Sequence, residues 1–339
     1  MRLNEIEYLR PILFIQLFLV HAFAIYTTTS WEIPAGIENI KIYDWIAKVA
    51  YSCMLELFTF ISGYVYYFVS LKKNMGFLRL VYTKFKRLII PSILFSILFY
   101  LLLMEPKEFD LSLLYEIICG EGHLWYLPML FGCFLSGYML KNTKYPLLVL
   151  MMVVVVSAFS RFPNIFRVSQ IAYYFSFFYM GMFICRYREI IQDIVTIRKN
   201  CAIVISGILY IVGLIVLLPI CVQLKEYHYT TWIEGYLVSA MARFTNIVYA
   251  TLGIVFLYII SLRVADVLVP PFWIKQFNIL SMGVYVFHQF ILMFLYYYTE
   301  LPRICGSYSL PWVAITIALP SSVLLSYLVR QTKIGKSLI

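Results

Sequence analysis

Apolar runs about 20 residues long recur from one end of the chain to the other, and the short stretches between them carry most of its charge. A helix needs about 20 such residues to cross the hydrocarbon of a bilayer. The pattern predicts ten helical spans, at residues 9–27, 45–70, 88–104, 123–140, 145–161, 168–186, 201–221, 236–262, 274–297 and 311–329. The predicted fold class is therefore all-α, a polytopic integral membrane protein. The first run, Tyr8–Tyr26, is apolar or aromatic apart from Arg10, Gln16 and His21.

The connections alternate in charge. With the N-terminus inside, nineteen of the 27 basic residues fall on the inner side and seven on the outer, with Arg243 left inside a span. Excess Lys and Arg mark cytoplasmic loops, so both termini are expected in the cytoplasm and the protein in the cell's inner membrane. The connection Glu105–Gly122 is then external, and the basic stretch Lys72–Arg87 faces the cytoplasm. Trp31, Trp45, Tyr296, Tyr297 and Trp312 near span ends suit an aromatic belt.

Composition agrees: 63% of residues are hydrophobic and 13% charged, where soluble domains carry about 25% charge. The net charge of +10 sets topology, because the basic residues lie between spans and form no soluble face for nucleic acid. Membrane lipid is the expected surrounding. Seven cysteines show no CxxC and no metal-ligand spacing, so no metal site is expected. Cys119, Cys221 and Cys305 fall near one membrane side, which leaves a disulfide among them open. Glu5 and Glu7 spoil the basic leader of a cleaved signal peptide. Residues 1–339 read as a single transmembrane domain without an appended soluble domain.

Ionisable residues inside spans are costly and usually face a protein interior with a task. There are four: His21, Glu56, Arg243 and His288. Counted from the cytoplasmic end at about 1.5 Å per residue, His21 is about 18 Å deep, Glu56 and His288 about 21 Å, and Arg243 about 28 Å. Similar depths on separate helices predict one shared polar cavity. An ion pair of Glu56 with Arg243 that ties helices together is the plainer alternative. Arg10 and His21 are eleven residues apart, roughly three turns, so they share a helix face about 16 Å apart along the axis. Neutral imidazole accepts a proton near neutral pH, which makes His21 the first candidate for a general base. His288 is a candidate to orient His21, bind an acceptor or act as a second acid/base. Ser62-Gly63 lacks a nucleophile context and reads as close helix packing.

Arg10, ten residues and His21 in the first span resemble the signature of the acyltransferase-3 family of bacterial membrane acyltransferases. Phe58-Thr-Phe-Ile-Ser-Gly-Tyr64, Gly122-His-Leu-Trp-Tyr-Leu127 and Gly283-Val-Tyr-Val-Phe-His288 resemble further segments in the family's order. The resemblance implies an O-acyltransferase that moves an acyl group, most simply acetyl, from cytoplasmic acyl-CoA to a hydroxyl of a surface polysaccharide or lipid-linked glycan. No bound cofactor is implied, since acyl-CoA is a substrate. The resemblance gives importance to His21 and Arg10, and makes Trp125 a candidate site-lining residue. The opening Ile6-Glu-Tyr-Leu-Arg10 is similar to the branch that modifies exopolysaccharides, succinyl transfer included. Arg10 suits the phosphates or pantetheine arm of the donor. Lys84, Lys86 and Arg87 are candidates to receive the same anionic donor or anionic lipid. A transporter with charges lining a permeation path is the second reading. Inverted repeats would mark it, and the chain has no such internal symmetry.

Overall fold

Every element of regular structure among the described residues is helical. Backbone amides and carbonyls in hydrocarbon must pair within their own segment, and a helix does this. The computed structural model describes the chain except residues 1–2, 28–30, 74, 105–109, 161–164 and 198. Part of the expected outer connection Glu105–Gly122 therefore lies outside the described residues. So do the basic residues Arg2, Lys107, Arg161 and Arg198. The helices are α1 (Asn4–Ala22), α2 (Lys41–Tyr51), α3 (Met54–Lys72), α4 (Phe77–Lys84), α5 (Ile90–Leu103), α6 (Leu111–Cys119), α7 (Tyr126–Leu140), α8 (Pro146–Phe159), α9 (Val168–Arg186), α10 (Arg188–Ile197), α11 (Lys199–Val212), α12 (Leu218–Glu226), α13 (Trp232–Val267), α14 (Phe272–Tyr297), α15 (Leu301–Gln331) and α16 (Gly335–Leu338).

Among the described residues, seven helical stretches are long and apolar enough to cross a membrane: Lys41–Leu71, Phe77–Leu103, Ile165–Arg186, Asn200–Glu226, Trp232–Val267, Phe272–Tyr297 and Leu301–Gln331. Many of their outward side chains are large and apolar, Leu101, Leu102, Ile208 and Ile211 among them. In α8, Leu147, Leu148, Met151, Met152, Val155 and Val156 are exposed while Ser157 is buried, the reverse of a soluble helix. The buried serine hydroxyls bond to backbone carbonyls: Ser157 donates to Tyr173 at 2.6 Å and Ser169 to Ser160 at 2.8 Å. All seven cysteines are free thiols.

Two features depart from uniform spans. The run at 45–70 is broken between Tyr51 and Met54, so α2 and α3 are separate helices. The helices before Pro91 and Pro219 widen into π-turns at Phe85–Ile89 and Gly213–Leu217. A proline ring clashes with the carbonyl four residues earlier and supplies no N–H to it. Those carbonyls belong to Arg87 and Ile215, the middle of each π-turn, so the wider turn relieves the clash.

Contacts group the chain into two units. One comprises Met1–Leu9, Ser52–Tyr82 and Met129–Val269. Its centre is the packing of α3 along α9. A Cβ added at Gly63 would lie 1.9 Å from the carbonyl oxygen of Phe178, and one at Gly181 would lie 2.1 Å from that of Phe60. The two backbones touch through reciprocal glycines, the close packing expected at Ser62-Gly63. At one end Glu5, 2% exposed, pairs with Arg188 at 3.0 Å and accepts from the Tyr64 hydroxyl at 2.9 Å.

The other unit comprises Arg10–Tyr51, Thr83–Pro128 and Pro270–Ile339. Here α14 packs on α15, with Gly283 leaving room for Ser326, whose Oγ would lie 2.6 Å from an added Cβ. The end of α1 is anchored by Tyr296, whose hydroxyl donates to the Ala22 carbonyl at 2.6 Å. Phe23, Tyr43 and Trp312 pack edge to face beyond it, with Phe23 centroids 4.9 Å and 5.0 Å from the other two. Asp110 caps α6 by accepting from the Leu113 amide at 2.8 Å. That bond holds its carboxyl below the ordinary range.

The α3–α9 contact yields a prediction. Gly181→Ala forces carbon against backbone that cannot rotate away, and overpacking costs on the order of 1–3 kcal/mol. Gly76→Ala meets nothing within 4 Å. A thermal unfolding scan in detergent is expected to show a clear fall in midpoint for Gly181→Ala and little change for Gly76→Ala. Equal midpoints would mean that the two helices are not held at backbone contact.

Candidate functional site

The second unit gathers three imidazoles. His21 lies in the last turn of α1, beside the carbonyl that Tyr296 anchors. His288 lies midway along α14, on the face that packs inward with Tyr285 and Leu292, and is 0% exposed. His123 arrives on a 3₁₀ turn, Gly122–Trp125. That turn depends on glycine: Gly120 and Gly122 have φ of +83° and +53°, and a Cβ at Gly120 would lie 2.7 Å from the Leu124 backbone.

Three contacts to α14 clamp residue 123. Its amide donates to Gln289 Oε1 at 3.1 Å, its Nε2 donates to the Val286 carbonyl at 3.0 Å, and the Tyr285 hydroxyl donates to its carbonyl. The rings form a column. His21 and His288 have centroids 4.7 Å apart at 78°, and His288 and His123 have centroids 4.9 Å apart at 76°. Phe18 lies edge-on to His288 at 5.8 Å, and Trp31 is 6.3 Å from His21.

Backbone carbonyls fix which nitrogen of each ring holds the hydrogen. His21 Nδ1 bonds to the Leu17 carbonyl at 3.0 Å and His288 Nδ1 to the Tyr285 carbonyl at 2.6 Å. A carbonyl oxygen only accepts, so these nitrogens and His123 Nε2 carry hydrogen. In a neutral ring the other nitrogen is then an acceptor. The acceptors are Nε2 of His21, Nε2 of His288 and Nδ1 of His123. The last two are buried and have no hydrogen-bond partner among the described residues. His21 is half-buried, which makes it the least buried member of the column. Among the described residues no group of three or more His, Cys, Asp or Glu is arranged to hold a metal ion.

Arg10 lies on the same continuous helix as His21, half-buried, so the eleven-residue spacing is kept. Trp125 closes the turn that carries His123 and is half-buried. Lys84 ends α4 half-buried, and Lys86 and Arg87 are exposed on the π-turn that follows.

Glu56 and Arg243 belong to the other unit and share a neighbour there. Glu56, 4% exposed, stands in the first turn of α3. Its Oε1 accepts from Asn246 Nδ2 at 3.0 Å and from the Tyr173 hydroxyl at 3.3 Å, while Oε2 has no partner among the described residues. Asn246 also bonds to the Tyr173 hydroxyl. Arg243, one turn before Asn246 on α13, donates to the carbonyl and hydroxyl of Ser160 and to Ser169 Oγ at 3.1 Å. Its guanidinium lies 5.9 Å over the Tyr173 ring. The alternative of a Glu56–Arg243 ion pair is not what the described residues form. The carboxylate takes neutral donors, and the guanidinium takes serine oxygens.

Sequence reasoning singled out His21 and His288, which the fold brings together, and passed over His123, Tyr173 and Asn246. His123 lies within Gly122–Leu127, where Trp125 drew the attention. Asn246 stands three residues after Arg243, a spacing that puts both on one helix face.

Searches of curated proteins and of solved structures found no match. The family model described as an acyltransferase domain matches residues 3–331, which takes in all three histidines, Arg10, Glu56 and Arg243. The chain belongs to the acyltransferase-3 family, as a multi-pass membrane acyltransferase.

Proposed function

We propose that the protein transfers an acyl group, acetyl in the simplest case, from cytoplasmic acyl-CoA to a hydroxyl of a surface polysaccharide or lipid-linked glycan, with His21 as the general base. The observation that carries this is the His21 ring. Its Nδ1 is held by the Leu17 carbonyl, and its Nε2 is free to accept in a half-buried position. Nε2 takes the proton of the acceptor hydroxyl as that oxygen attacks the thioester carbonyl carbon. The tetrahedral intermediate collapses with cleavage of the carbon–sulfur bond. The proton on His21 then passes to the departing thiolate, which leaves an ester, free coenzyme A and neutral imidazole.

The remaining assignments follow the charges. Arg10 sits about three turns below His21 and suits bidentate contact with the donor's phosphates. Lys84, Lys86 and Arg87 extend a positive approach for the same anion on the cytoplasmic side. Glu56 and Arg243, with Tyr173 and Asn246, form a polar cluster within the first unit. The excess of Lys and Arg on one side supports cytoplasmic termini and an inner-membrane location.

Three outcomes are expected. His21→Asn keeps a hydrogen-bonding side chain but takes up no proton, so thiol release from acetyl-CoA in the presence of acceptor should fall about 10²–10⁴-fold, with expression and insertion intact. A near-parental rate would remove His21 from the chemistry. Arg10→Lys should instead raise KM for acetyl-CoA at least about tenfold, because an ammonium lacks the planar fork; an unchanged KM would move the donor site elsewhere. Ser112, exposed on α6, tests orientation. After Ser112→Cys, a membrane-impermeant maleimide should label intact cells, and protection there would reverse the topology. Asn74, the matching probe for the inner face, lies outside the described residues.

A further inference from the structure

His21 gives an acceptor hydroxyl somewhere to leave its proton, but a glycan has a whole ring to be held. Beside His21 lies a broad aromatic surface, the indole of Trp31. Tryptophans near span ends ordinarily serve as anchors at headgroup level, and Trp45, Trp232, Trp273 and Trp312 are all exposed. Trp31 is half-buried instead and packs on the site. It meets Tyr296 at 6.0 Å and Tyr297 at 6.3 Å. Its angles to His21, Tyr296 and Tyr297 are 54°, 76° and 59°, so none of these three rings lies flat on the indole. The segment that carries it is tied down. The Tyr297 hydroxyl donates to the Glu32 carbonyl at 2.8 Å, and the Glu38 amide donates to Ser307 Oγ at 2.8 Å. Tyr296 holds the end of α1 through Ala22 while its ring meets Trp31. Adjacent residues of α14 thus fix both the base and the indole.

We propose that Trp31 is the stacking platform for a pyranose ring of the acceptor, and so decides which hydroxyls reach His21. The proposal rests on the base reading of His21. A sugar ring has a face of C–H bonds that carry slight positive charge, and the face of an aromatic ring is negative. The sugar's hydroxyls project around its rim. A pyranose laid on the indole therefore presents hydroxyls to the imidazole alongside. Arg10 lies about 16 Å away along α1, toward the helix's other end, so a sugar on Trp31 does not compete with the donor's phosphates.

The test uses full-length protein in lipid nanodiscs, with acetyl-CoA as donor and the surface polysaccharide of cells that lack the protein as acceptor. Ester on the glycan and released thiol are both measured. Trp31→Leu is expected to lower kcat/KM for the polysaccharide about tenfold, the order of one good aromatic contact, with the loss carried mainly by KM. Trp31→Tyr, a smaller but still flat ring, should recover most of it. An unchanged acceptor KM in Trp31→Leu, or equal losses in the two variants, overturns the proposal and leaves Trp31 as a bilayer anchor. A second arm needs no variant at Trp31. Hydroxyl-radical footprinting of the wild type, read by peptide mass spectrometry, should show polysaccharide suppressing oxidation of Trp31 and leaving that of Trp273 unchanged. Absence of that protection overturns the proposal whether or not transfer occurs. His21→Asn separates this from the reading beneath it. Transfer should be lost there while Trp31 stays protected, whereas retained transfer removes the base and leaves the platform to the footprint.

Discussion

A backbone carbonyl can only accept a hydrogen bond, and three carbonyls in this protein determine what three histidines can do. Leu17, Tyr285 and Val286 each hold one ring nitrogen at 2.6–3.0 Å, which turns the opposite nitrogen of every neutral ring into an acceptor. The carbonyls are themselves placed by helices. The Leu17 carbonyl is one turn before His21 on α1, and those of Tyr285 and Val286 lie on α14. In a membrane the helix is the element that leaves no backbone group unpaired. The same demand for partners that imposes the helices thus sets the tautomers of the site.

Around that constraint the second unit is built to hold the rings still. Tyr296 fixes the end of α1, Gly120 and Gly122 allow the turn that carries His123, and three hydrogen bonds seat that turn on α14. Aromatic neighbours fill the sides: Phe18 lies edge-on to His288 and the Trp31 ring lies 6.3 Å from His21. A site of rigid acceptors has no need to reorganise as a hydroxyl loses its proton, which is the condition under which electrostatic catalysis is effective.

What the sequence made legible was what lipid makes conspicuous. His21 and His288 stood out because an imidazole among leucines and phenylalanines is expensive, and the fold sets their rings side by side. His123 did not stand out, since it begins a span where a polar residue costs little, and only the glycine-dependent turn sends it inward. Glu56 and Arg243 were visible as charges, but their partners, Asn246, Tyr173, Ser160 and Ser169, are neutral residues that no hydropathy pattern marks. The break between α2 and α3 was invisible because the apolar run passes through it. The π-turns were signalled only by Pro91 and Pro219, whose effect falls four residues upstream.

The most direct test of this account is nitrogen-15 NMR of protein carrying ring-labelled histidine in nanodiscs, with the His21 signals assigned by their loss in His21→Asn. Four histidines in the chain keep the spectrum sparse. The account predicts a neutral His21 ring near pH 7, protonated at Nδ1 and bare at Nε2. A His21 ring protonated at Nε2, as the other tautomer or as imidazolium, would contradict it, because no lone pair would then be available for the acceptor's proton.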